Sequence, residues 1–228
     1  GIDPVGARGP GAARQLAASR GARPGAPVPL FDGWEPTPWS APQPWEADGL
    51  TRSQRVIAFI ESLPITKGFG AGERIRLDPF QVEWIEGIYR DDECGDRAVR
   101  TGLLSVARGN GKTVLCAALC LAHLVGPECE PRGECYSAGA TRDQSALVYA
   151  EMEAIILATP WMAARLNLQR FHKKIEDSVT GSIYRALASD GGSTHGLATS
   201  FVVCDELAQW KKRELFDVLR TSLGKRRN

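Results

Sequence analysis

The chain has 228 residues, of which 43% are hydrophobic and 24% charged, with a formal net charge of +1. This is an ordinary globular composition, long enough for one domain plus an extension, and its near-neutral balance excludes a global electrostatic footprint for nucleic acid, so any such contact has to be local. The cysteines at 94, 116, 120, 129, 135 and 204 show neither C-x-x-C nor paired His/Cys ligand spacing, which suits a reducing compartment, and the longest apolar run, Val114 to Val125, is too short to span a bilayer.

Residues 1–48 differ from the rest. They hold most of the 14 prolines together with repeated Gly and Ala, and their first part carries Arg8, Arg14, Arg20 and Arg23 against the single acid Asp3. This composition reads as a flexible, mildly basic tail. Trp34, Trp39 and Trp45, spaced among the prolines, suggest that its second half is strapped onto a surface.

The globular part is expected over 49–228. Thr51 or Ser53 can cap a first helix whose Val56, Ile57, Phe59, Ile60 and Leu63 share one face and which Pro64 ends. A loop, Gly68-Phe69-Gly70-Ala71-Gly72, follows. Pro79 then sets the first turn of a second helix carrying Phe80, Trp84, Ile85 and Ile88. On that helix Gln81 offers an amide donor and acceptor side by side, the pattern that reads an adenine edge; a plain surface glutamine is the alternative.

Next comes Ser105-Val106-Ala107-Arg108-Gly109-Asn110-Gly111-Lys112-Thr113, between a strand candidate (Leu103, Leu104, Val106) and an apolar helix running from Thr113 to about Val125. Strand, glycine-containing loop ending Gly-Lys-Thr, and helix are the parts of a phosphate-binding loop. Backbone N–H groups and the helix N-terminus cradle phosphate oxygens, the Lys reaches the β/γ-phosphates, and the Thr hydroxyl ligates magnesium. The usual first glycine of such a loop is replaced here by Val106, and an ordinary helix start suits the same residues equally well.

Beyond the turn at 126–133, a strand candidate over 134–140 leads into a helix from Thr141 to about Leu157, and a shorter helix is expected between Trp161 and Lys174. Ile175 to Ala188 alternates around Thr180-Gly181-Ser182 and reads as a hairpin or two short strands. After a small-residue loop containing His195, Phe201-Val202-Val203-Cys204-Asp205-Glu206 reads as a buried parallel strand with two carboxylates at its C-terminal edge, where ligands sit in open α/β sheets. There Asp205 would hold magnesium and Glu206 would orient and deprotonate an attacking water, unless the pair is a solvated turn.

Taken together these motifs resemble the ATPase part of the large subunit of tailed-phage terminases, the DNA-packaging motors. The resemblance runs from about Arg52 to Asn228. It includes Phe59-Ile60-Glu61-Ser62-Leu63-Pro64 with Thr66-Lys67-Gly68, Leu77-Asp78-Pro79-Phe80-Gln81 with Trp84-Ile85, and the loop 107–113. It continues with Tyr136-Ser137-Ala138, Thr141-Arg142-Asp143-Gln144 and Val202-Val203-Cys204-Asp205-Glu206. The family commonly replaces the first glycine of the loop and places an Arg inside it, as Val106 and Arg108 do here.

The resemblance implies an α/β P-loop NTPase of the RecA-like, additional-strand type, with a mostly parallel central sheet flanked by helices, using ATP and Mg2+. By position, Gln81 would read adenine, and Arg108, Gly109, Asn110, Gly111, Lys112 and Thr113 would bind ATP, with Arg108 toward the γ-phosphate in a catalytic role. Thr113 and Asp205 would hold the metal, and Glu206 would be the catalytic carboxylate. Arg142 and Gln144 would have a supporting or DNA-coupling role at most. Implied partners are double-stranded phage DNA, a small terminase subunit, the portal and procapsid, and further copies of the chain in a ring, in the cytoplasm of an infected bacterium and not at a membrane. The coupling strand and the nuclease domain of the family have no counterpart before Asn228, so the chain is expected to be truncated and not to cut DNA. Alternatives are another DNA-dependent translocase, or a nucleotide-binding or assembly module without catalysis.

Overall fold

A computed structural model describes residues 43–188 and 196–223; the tail up to residue 42 with Trp34 and Trp39, the loop around His195, and the basic end after Leu223 lie outside the described residues. The elements in order are helix α1 (Arg52–Ser62), α2 (Pro79–Ile88), α3 (Lys112–Leu124), strand β1 (Glu134–Gly139), α4 (Arg142–Ala158), α5 (Pro160–Arg165), β2 (Leu166–Gln169), β3 (Lys174–Asp177), β4 (Ile183–Ala188), β5 (Phe201–Cys204) and α6 (Glu214–Leu223).

Helix starts follow local chemistry. The Thr51 side chain accepts from Gln54 N while Gln54 returns a bond to the Thr51 backbone, closing a capping box. Asp78 and Gln81 form the same box at α2, with Pro79 in its first turn, and Thr141 accepts from Gln144 N at α4. The strands make one sheet in the order β2-β3-β4-β1-β5. β1 runs parallel to both β4 and β5, with Cys135 opposite Tyr184 on one side and Phe201 on the other. β2 and β3 form an antiparallel hairpin added to the β4 edge.

The period-2 alternation of the strands separates two cores. Cys135, Tyr184, Phe201 and Val203 face the larger one, where α3 is buried along nearly its whole length among α1, α4 and the sheet. Tyr136, Ala138, Leu187, Val202 and Cys204 face the smaller one, closed by Leu215 and Leu219 of α6. The result is a three-layer α/β/α arrangement. Its packed region reaches back to Gln43. A short 3-10 turn at Pro44–Glu46 plants Trp45, only 7% exposed, edge-on to Phe59 at 4.8 Å and 6.0 Å from Trp161. Loop 64–72 is tied down by Thr66, whose hydroxyl donates to buried Glu151 on α4 at 2.8 Å.

Two sequence expectations are corrected. Leu103–Val106 forms no strand: residues 101–107 lack a ladder partner among the described residues, and Leu103 is 85% exposed. β5 is parallel but lies at the sheet edge, so each of its residues is only half-buried rather than fully covered. The shorter helix expected after Trp161 is α5, and beyond it Leu166–Gln169 pairs with β3.

Candidate functional site

Loop 105–113 leads into the buried helix α3 through Gly111, which caps it in the left-handed conformation at φ 65°, and Gly109 is left-handed as well at φ 86°. Side chains other than Gly or Asn adopt this region only with strain. Val106 does not need it. Among the described residues the only non-glycines with positive φ are Arg132, Lys173 and Glu206, so the position usually given to glycine has backbone angles that valine tolerates.

The Lys112 ammonium folds back over the loop and donates to the carbonyls of Val106 and Ala107, both at 3.0 Å. Asn110 Nδ2 donates to Ala107 O at 3.1 Å, which tightens the same turn. Arg108 is exposed, with no ion pair among the described residues, and Thr113 is half-buried in the first turn of α3. The helix N-terminus and the Lys112 and Arg108 charges therefore meet at one loop, an arrangement suited to a polyanion. Gln81 is 6% exposed; its Oε1 accepts from Asp78 N at 2.9 Å and its Nε2 lies 3.5 Å from Asn110 O. The amide is thus next to the loop and not on the open surface, and each end keeps one hydrogen-bonding position for a further partner.

The carboxylates arrive from the other side. Asp205 ends β5, its N–H donating to Ala138 O at 2.9 Å and its carbonyl accepting from the Trp210 indole at 3.0 Å. Glu206 follows in a left-handed turn at φ 47°, exposed, and its Oε2 accepts from Gln144 Nε2 at 3.1 Å. Gln144 can sit there because β1 ends in Gly139, where a Cβ would come within 2.9 Å of Ser145 N and 3.2 Å of Gln144 Cβ. Gln144 also donates to Gln209 Oε1 at 3.1 Å, and its own Oε1 is buried with no partner. Arg142 stands exposed at the start of α4 and forms no ion pair with either carboxylate.

Cys116 links the two halves. One turn into α3, its thiol is pushed up to about 12, first by burial and then by the Asp205 carboxylate, with the Lys112 ammonium opposing. The helix that carries Cys116 packs on β5, so its first turns lie near the strand that leads into Asp205. A protonated thiol is also a poor metal ligand. The hard oxygen donors nearby, the Thr113 hydroxyl and the Asp205 carboxylate, suit Mg2+, which takes few protein ligands and completes its shell with phosphate and water. No cluster of three His, Cys, Asp or Glu able to hold a metal alone exists among the described residues. The sequence patterns identified the loop and the acids. The Gln144–Glu206 contact leaves only a faint trace in sequence, a glutamine in the first turn of a helix that starts at a strand's C-terminal edge, and nothing local marks Trp210.

A family of protein domains described as "Terminase large subunit, ATPase domain" matches residues 79–228. The large subunit of the terminase of Enterobacteria phage HK97 is 35% identical over 182 residues, covering 78% of this chain and 35% of the relative. The crystal structure of the HK97 bacteriophage large terminase is similar with a TM-score of 0.68 and 33% identity, over 78% of this chain and 36% of that one. The chain therefore spans about a third of the length of these relatives. The likeness extends to the fold, a RecA-like α/β architecture with a mostly parallel sheet between helices.

Proposed function

The chain belongs to the terminase large subunit ATPase domain family, and from that premise we propose that it binds Mg-ATP at loop 105–113 and hydrolyses it to power the movement of double-stranded phage DNA into a procapsid. The observation that carries the reading is the stacking of His123, near the C-terminal end of α3, on Phe201, the first residue of β5, at 3.8 Å: the helix runs back along the strand, which puts the loop that opens α3 toward the strand end leading into Asp205 and Glu206.

In this reading the backbone N–H groups of 109–113 cradle the phosphates. Lys112 leaves the carbonyls of Val106 and Ala107 for β/γ-phosphate oxygens, and Arg108 reaches toward the γ-phosphate. Gln81 reads the adenine edge with its remaining donor and acceptor. Thr113 and Asp205 hold Mg2+, which when bound neutralises charge on the phosphate oxygens. Glu206 accepts the proton of the attacking water; the water oxygen bonds to the γ-phosphorus as the bond to the β–γ bridging oxygen breaks, leaving ADP and phosphate. Transition-state charge in ring-shaped motors of this kind is also met by an arginine from a neighbouring copy. The resemblance supplies the remaining partners, a small terminase subunit and a portal, in the host cytoplasm.

A second reading, nucleotide binding without turnover, is favoured by the missing ladder partner of residues 101–107 among the described residues: the segment is held by the Trp84 indole donating to Leu103 O at 3.2 Å and by Leu104 against the core, not by a neighbouring strand. Titration calorimetry with Mg-ATP tests the site that both readings share. Lys112→Ala should weaken binding by roughly tenfold or more, the loss of about one strong charge-assisted contact, while Glu206→Gln should bind as the parent does. Unchanged affinity in Lys112→Ala would remove the loop from the site.

A further inference from the structure

The strands have a second edge. Residues leading into β1 and β5 lie at the end of the sheet opposite Asp205, and there a cleft of about 730 Å3 opens between the start of α1, the 91–101 loop, the 127–130 turn and α6. Its interior charges are already paired. Arg52 Nε meets Asp91 Oδ1 at 2.6 Å and its Nη1 meets Glu128 Oε2 at 3.1 Å. Arg97 meets the same Glu128 oxygen at 2.5 Å while lying 5.4 Å over the Tyr89 ring.

The rim differs. Arg55 of α1, Arg100 of the 91–101 loop and Arg220 of α6 all line the cleft and are exposed, and none has a side-chain partner among the described residues. Of the acids lining the cleft, Asp91 and Glu128 are engaged in these pairs.

We propose that this rim is a docking surface for the phosphate backbone of duplex DNA; the inference rests on the reading of the chain as part of a DNA motor and names the face that the DNA would meet. The three guanidinium groups are carried by three separate parts of the chain around the cleft. They suit a ligand whose charges are spread along a track, and the planar fork of arginine matches phosphate oxygens. No aromatic ring among the described residues lines the cleft, so these residues offer the unstacked bases of a single strand no platform. The contact is one to backbone only, and therefore independent of sequence.

Anisotropy of a fluorescein-labelled duplex of arbitrary sequence, titrated with the full chain at several salt concentrations, tests the surface, with Mg-ATP calorimetry on the same samples as the check of folding. Each of Arg55→Ala, Arg100→Ala and Arg220→Ala should lower the slope of log K against log salt by about 1, and the triple variant by about 3. The triple variant should also bind roughly tenfold or more weakly at low salt, with ATP affinity kept. Asp96→Asn should tighten binding, and an unlabelled duplex should compete better than a single strand of equal length. The proposal is overturned if the triple variant keeps the parent's affinity and slope, if the parent binds no duplex at low salt, or if poly-glutamate binding and not duplex binding depends on the three arginines. ATP hydrolysis that persists in any of these outcomes leaves the nucleotide site intact and removes only the surface.

Discussion

Glu206 occupies a backbone conformation that costs a non-glycine residue on the order of 1 kcal/mol, and its carboxylate leans on Gln144 at 3.1 Å. The strained turn carries the side chain out past the end of β5, and the amide fixes where it points. Gln144→Ala should therefore lower kcat about fivefold, the value of one hydrogen bond of about 1 kcal/mol, and leave KM for ATP unchanged, because Gln144 touches the carboxylate and not the loop. Steady-state kinetics decide it, and a rise in KM with kcat untouched would assign Gln144 to binding instead. At this scale the sequence was informative wherever chemistry is local: Gly109, Gly111 and Lys112 are a contiguous phrase, and Asp205-Glu206 another. The Gln144 contact spans 62 residues and exists only because β1 and β5 are neighbours, so no window of sequence contains it. Val106 illustrates the reverse. A departure from the usual spelling becomes neutral once its backbone angles are known.

Helix α3 carries the loop at one end and His123 at the other. His123 is fully buried, stacked on Phe201 at 3.8 Å and 7°, with Nε2 2.8 Å from the Tyr89 hydroxyl. Burial, and then the nearby Arg97 and Arg52, hold its folded-state pKa well below the usual 6.5. The unfolded chain thus binds a proton that the folded chain refuses. Stability from this residue is complete above pH 6.5 and is lost as pH falls below it, at up to about 1.4 kcal/mol per pH unit. Thermal melts between pH 7.5 and 5 should show a shallower acid-side fall for His123→Gln than for the parent; equal falls would point to other groups. Elements set by their own periodicity and caps, α1 to α4 and the β3–β4 hairpin, were readable from sequence to within a residue or two. Membership of a ladder was not. Leu103–Val106 has the composition of a strand, and β5 that of a fully buried one, yet whether a neighbour lies alongside is a property of topology.

The whole molecule is a sheet with two working edges. The C-terminal edge gathers the loop, Gln81, Asp205 and Glu206, and the opposite edge holds the arginine-rimmed cleft. A net charge of +1 hides this separation, because ion pairs such as Arg52–Glu128 consume charge inside the cleft while Arg55, Arg100 and Arg220 stand exposed on its rim. Family membership was legible because several weak motifs occur in order, each uninformative alone. The chain spans 35% of the HK97 relative. The central claim is narrower, that loop 105–113 and the end of β5 form one hydrolytic site. Phosphate release at saturating Mg-ATP, measured side by side for the parent and Glu206→Gln, tests it most directly. Turnover by the parent and a loss of about 10²-fold or more in the variant are expected, with Mg-ATP affinity kept. Equal rates in the two proteins, or a parent that binds Mg-ATP and releases no phosphate, would contradict it.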